Sequence, residues 1–110
     1  MAYDDALADR IRAILLAERD DIREQKMFGG VAFMVGGHMC VGVIREDLMA
    51  RLGEDGADAA LDEPHTRPMD FTGRPMRNMV YVDPAGTTTD EAVRAWIRRA
   101  LAFVEALPPG

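Results

Sequence analysis

Met27-Phe28-Gly29-Gly30-Val31-Ala32-Phe33-Met34-Val35-Gly36-Gly37-His38-Met39-Cys40-Val41-Gly42-Val43-Ile44 is the stretch on which the fold turns. Two apolar runs separated by Gly36-Gly37 read as a β-hairpin, because glycine supplies the positive φ angles that tight primed turns require. Both runs are apolar at nearly every position. Such strands are covered on both faces, or on one face by a helix and on the other by a partner chain.

Upstream of the hairpin, Leu7, Ile11, Ile14 and Leu15 recur at helical spacing, which predicts an amphipathic helix from about Asp4 to Arg19. Asp4 and Asp5 are placed to cap its first turn and to meet the positive end of its dipole. The residues between this helix and Met27 read only as a charged stretch. Downstream, Asp47 to Leu52 fits strand and helix equally by periodicity and is read as a third strand. Asp55 to Leu61 reads as a short helix that ends before Pro64. Pro68 to Phe71 and Met76 to Val82 read as a second hairpin, with Thr72-Gly73-Arg74-Pro75 as its turn. Thr88 with Glu91 is expected to form a capping box for a last helix. Val93, Trp96, Ile97, Ala100, Leu101 and Val104 lie along one face of that helix.

The expected order is therefore α-βββ-α-ββ-α, an α+β domain in which helices pack on an antiparallel sheet. At 110 residues the chain has the size of one domain spanning 1–110. The alternating βα order of a parallel nucleotide-binding sheet is absent. No signal-peptide pattern and no apolar run of membrane-spanning length occurs, and Cys40 has no second cysteine to pair with. The expected location is the cytoplasm. A formal charge of -6 opposes unaided nucleic-acid binding, because phosphate contacts draw on clustered positive charge. The abundance of arginine over lysine and the lack of serine point to a GC-rich genome.

Catalytic side chains are scarce. Nucleophilic catalysis needs an activated Ser, Cys, Thr or Lys beside a base, and the chain holds one cysteine and one lysine, Lys26. His38 and Cys40 alternate on one strand, but no second Cys or His cluster would complete a tetrahedral metal site. His65 near Asp62, Glu63 and Asp70 has the composition of a base oriented by a carboxylate, and equally that of a solvated acidic loop. Gly29-Gly30 leads into no phosphate-loop pattern, and paired glycines in a strand serve a bulge or a close backbone approach. No catalytic residue, cofactor or metal is expected. Arg67, Arg74 and Arg77 around the second hairpin are the candidate partner-binding or anion-binding residues, since arginine forks suit carboxylate and phosphate groups. The many methionines on or near the two hairpins suit an irregular core, and also an adaptable binding surface.

Lys26-Met27-Phe28-Gly29-Gly30-Val31-Ala32-Phe33-Met34, Arg67-Pro68-Met69 with Gly73-Arg74-Pro75-Met76, and Met79-Val80-Tyr81-Val82 together resemble the N-terminal domain of the TfoX/Sxy family. The resemblance covers nearly the whole chain. It implies a fold similar to secretion chaperones in the order α-βββ-α-ββ-α. Met27, Phe28, Gly29, Gly30, Pro68, Gly73 and Tyr81 would serve structural roles in that family pattern. Full-length members are bacterial regulators of natural competence that act with the cyclic-AMP receptor protein at certain promoters. They carry a further C-terminal helical domain, which is not expected within these 110 residues. The expectation is a non-catalytic protein-interaction module with a regulatory role, retaining a protein partner and open to homodimer formation. The alternative is a small-ligand or anion-binding protein, or a minor enzyme, built on the arginine-rich hairpin.

Overall fold

The computed structural model describes residues 3–27, 29–69 and 76–108. Its elements are α1 (Asp5–Glu18), β1 (Ile22–Met27), β2 (Gly30–Val35), β3 (His38–Ile44), β4 (Asp47–Arg51), α2 (Gly53–Leu61), β5 (Thr66–Met69), β6 (Met76–Val82), a 3-10 turn (Pro84–Gly86) and α3 (Asp90–Glu105). The strands form one antiparallel sheet in the order β1-β2-β3-β4-β6-β5. The α+β architecture is the expected one, with the ambiguous Asp47 segment indeed a strand and with one strand more than periodicity disclosed. That strand is β1, cut from the charged stretch. Its sequence Ile-Arg-Glu-Gln-Lys-Met has no apolar alternation, because it lies at the sheet edge where the helices only partly reach it.

Helix α1 begins where Asp4 caps it, its carboxylate accepting a hydrogen bond from the Leu7 amide at 3.1 Å. Helix α3 begins one residue later than the Thr88–Glu91 box would place it. Thr89 is the cap, accepting from the Ala92 amide at 3.0 Å, while its own extended backbone breaks the helix upstream. Asp90 and Glu91 then occupy the first turn, where carboxylates complement the helix dipole. The expected turn at Thr72 to Pro75, and Phe71 at the end of its strand, lie outside the described residues.

Alternation along each strand sorts side chains between the two faces of the sheet. Val31, Phe33, Val35, Val41, Val43, Leu48, Ala50, Val80 and Val82 point to one face, where they pack with α1, α2 and α3 in the main core. From α1 come Leu7, Ala8, Ile11, Ile14 and Leu15, and from α3 the six buried residues that the helical spacing singled out. Burying each large aliphatic side chain stabilises the fold by about 1.5–3 kcal/mol, which is what fixes these helices to the sheet. Between β2 and β3 the register shifts at Phe33/Met34, so that β3 carries Cys40 as an extra residue. This bulge turns Cys40 into the helical core.

The other face holds a second cluster, in which Met49, Met69 and Met79 are buried and Met39, Ile44 and Tyr81 are half-buried around them. No helical residue belongs to it. Two glycines show why this side of the first hairpin is glycine-rich. A Cβ on Gly30 would stand 2.3 Å from the Val43 carbonyl oxygen, and one on Gly42 2.7 Å from both the Val31 carbonyl oxygen and the end of Met49. Among the described residues, no helix is long and apolar enough to cross a membrane.

Candidate functional site

Arg67 leaves β5 opposite Tyr81 of β6, with which it is in register. Its Nε donates to Asp83 Oδ1 at 2.7 Å, its Nη2 donates to Asp47 Oδ2, and the guanidinium lies 4.8 Å from the centre of the Tyr81 ring. These hydrogen bonds raise the Arg67 pKa further, Asp83 first and Asp47 second. Asp47 opens β4 and Asp83 follows β6, so one side chain ties together three neighbouring strands. One arginine between two carboxylates carries a net charge of -1. Such a cluster favours cations and repels free phosphate or carboxylate.

Arg77 also lies on β6, exposed, and makes no ion pair among the described residues. It stands four residues from Tyr81, about 13 Å along an extended strand. Arg77 thus stands further along the sheet from Arg67, which is in register with Tyr81. Arg74, the third member of the expected patch, lies outside the described residues. So do Phe28 and Gly73 of the family pattern.

The remaining motif residues have local structural work. Gly29 adopts φ 76 in the turn between β1 and β2, and Gly30 lets β2 approach the Val43 carbonyl. Met27 closes β1 opposite Gly30. Pro68 sits in the edge strand β5, where a missing N–H is tolerated. Tyr81 supports the Arg67 guanidinium.

Among the described residues neither histidine enters a catalytic arrangement, and Asp70, expected near His65, lies outside them. His65 holds a left-handed backbone (φ 68), and its carbonyl accepts from the Asp83 amide at 2.8 Å. Glu63, expected beside it, is drawn instead to Arg99 at 2.8 Å. His38 Nε2 lies 2.5 Å from the Pro108 carbonyl oxygen, which pins the end of the first hairpin to the segment after α3. Burial pushes the Cys40 thiol up to about 12, so at neutral pH it is neither thiolate ligand nor nucleophile. Among the described residues no group of three or more His, Cys, Asp or Glu side chains is placed to hold a metal. Between α1 and α3 runs an open groove of about 400 Å³, lined by Arg10, Ile14, Asp90 and Arg94 among others. The Arg10–Asp90 ion pair at 2.9 Å bridges its two helices.

Two features were missed in the sequence. The carboxylates of the Arg67 cluster stand 16 and 20 residues away from it, and only the β4-β6-β5 order brings them together. Glu24 of β1 is held by Arg12 of α1, whose Nε and Nη2 donate to its two oxygens at 2.5 and 2.7 Å. This pairing lowers the Glu24 pKa. A near-continuous apolar β2 that needed a neighbour on each side was the one available signal for β1.

The family model described as the TfoX N-terminal domain matches residues 14–104, from α1 through all six strands to the last turn of α3. No curated protein and no solved structure matches the chain.

Proposed function

This chain belongs to the TfoX N-terminal domain family, and from that premise we propose that it is a non-catalytic protein-interaction module with a regulatory role. The carrying observation is the sheet face without helices, where Met39, Ile44 and Tyr81 stand half-buried around Met49, Met69 and Met79. Methionine packs against surfaces of varied shape because its chain is unbranched and its sulfur polarisable. A protein partner lying on this face would bury the half-exposed rim. By likeness to full-length family members, that partner belongs to the machinery of transcription, and the module acts there as an accessory in the cytoplasm.

The alternative of an anion or small-ligand site at Arg67, Arg74 and Arg77 has less support. Asp47 and Asp83 offset the charge of Arg67 and take hydrogen bonds from its Nε and Nη2.

Photo-crosslinking in the native host tests the reading. A benzoylphenylalanine at position 39 or 44 is expected to give discrete protein adducts. One at the exposed Ala102, on the outer side of α3, is expected to give none. Equal adducts at all three positions, or none at 39 and 44, would count against the methionine face.

A further inference from the structure

The sheet has two edges, and they are built differently. β5 is four residues long and contains Pro68, both of which discourage a further strand. β1 is six residues long, without proline or glycine, exposed at Arg23, Glu24, Gln25 and Lys26. Among the described residues no strand pairs with its outer side.

The charges on β1 decide what fits there. In an antiparallel ladder alternate residues turn their N–H and C=O outward, so two copies of one strand pair only at positions of the same parity. Each register is then centred on a single residue that faces its own copy. Centring on Arg23, Glu24 or Lys26 opposes a charge with itself, which destabilises the pair. Centring on Gln25 opposes Gln25 with Gln25, Arg23 with Met27, and Glu24 with Lys26 twice. Charged edge strands ordinarily resist pairing. Here the same charges forbid the neighbouring registers and favour one.

Residues directly opposite share a face, so this register places both helical layers on the same side of the joined sheet. A second feature on that side points to the same seam. Helix α1 is tied to β1 by Arg12 to Glu24, and Arg19, just past its end, pairs with Asp21 ahead of β1 at 2.8 Å and with Glu105 of α3 at 2.6 Å. Leu16 falls between those arginines at helical spacing, and it is 56% exposed, more than any other large apolar side chain among the described residues. Both oxygens of Glu24 are fixed by Arg12 yet keep lone pairs for a second donor. Lys26 makes no ion pair among the described residues.

We infer that the partner for this edge is a second copy of the chain, paired β1 to β1 about a two-fold axis at Gln25. Glu24 meets Lys26 of the partner subunit in both directions, and Leu16 is covered at the seam. The inference is independent of the methionine face, which lies on the other side of the sheet.

Sedimentation velocity of the whole chain over a concentration series tests it, with far-UV circular dichroism and urea midpoints read on every variant. The wild type is expected to dimerise. Glu24→Lys and Lys26→Glu each turn two attractive pairs into two repulsive ones and should weaken self-association by about tenfold or more. An equimolar mixture of the two variants restores opposite charges across the seam and should recover association as a heterodimer. Leu16→Glu should weaken the dimer while leaving the fold intact. A wild type that stays monomeric, an unchanged association in Lys26→Glu, or a mixture that does not recover would each overturn the inference. None of these outcomes bears on crosslinking at positions 39 and 44, so the two readings fail separately.

Discussion

On the helical side of the sheet the buried strand residues are Val31, Phe33, Val35, Cys40, Val41, Val43, Leu48, Ala50, Val80 and Val82, whereas on the other side they are Met49, Met69 and Met79 with Gly30, Ala32 and Gly42. β-Branched and aromatic side chains are stiff, and they suit a surface whose partner, the ridges of α1 and α3, is always in place. Methionine has three freely turning bonds and suits a surface whose partner is not rigid. One sheet thus carries a jigsaw face and an adaptable face. The difference lies in what each side chain can tolerate, and substitution measures it directly.

The largest effect should come from Phe33→Ala. Phe33 is fully buried between the sheet and α1, with Arg12 5.9 Å from its ring. Truncation removes the transfer term and leaves a cavity that the packed helices cannot close, for a loss of about 3–5 kcal/mol. Urea unfolding should show a large drop in midpoint with little change in slope. A loss below about 1 kcal/mol would mean that the helical layer can collapse onto the gap, and the contrast between the faces would be gone.

A finer comparison adds or conserves volume on each side. Val41→Leu puts an extra methylene into the helical core and should cost about 1–3 kcal/mol. Met49→Leu keeps volume on the other face and should cost less than about 1.5 kcal/mol. The sign of the difference between the two urea midpoints is the readout. If Met49→Leu proves the costlier, the methionine face is as finely fitted as the helical one, and its role as an adaptable docking surface weakens.

How much of this could be read without coordinates follows from where the information lies along the chain. The helices α1 and α3 were legible because a single face repeats over many residues, as Leu7, Ile11, Ile14 and Leu15 do. The first hairpin was legible because Gly36 and Gly37 both take positive φ between two apolar runs. β1 was hidden because its core-side residues are Ile22, Glu24 and Lys26. Glu24, exposed at the sheet edge, faces the helical side where Arg12, on another element, receives it. The Arg67 cluster was half-legible. Its arginine was singled out with others around the second hairpin, while Asp47 was read only as the start of a strand and Asp83 carried no functional reading until strand order placed them around it. Methionine on the hairpins was visible, but the division between faces needed the register, which the Cys40 bulge shifts midway along β3.

The smallest of these effects concerns how the jigsaw face keeps its partner. α3 supplies six buried residues to that face, so its first turn must be held in register with the sheet. Three consecutive threonines, Thr87 to Thr89, precede the helix, and only Thr89 carries the cap. Thr89 is extended at φ -120 and ψ 153, and its hydroxyl accepts from the Ala92 amide, satisfying a donor that the helix cannot. Thr89→Ala should therefore cost about 1 kcal/mol, and Thr88→Ala should stay within about 0.5 kcal/mol of the wild type. Thermal or urea unfolding of the two variants side by side decides between them. Equal losses would show that the cap does not limit α3, and that packing of Val93, Trp96 and Ile97 alone sets how firmly the helix is held. A loss confined to Thr89→Ala would place the start of α3 at Asp90 and show that the helical face depends on its helix ends as well as on its core. No helix belongs to the methionine face, so it has no counterpart to this dependence.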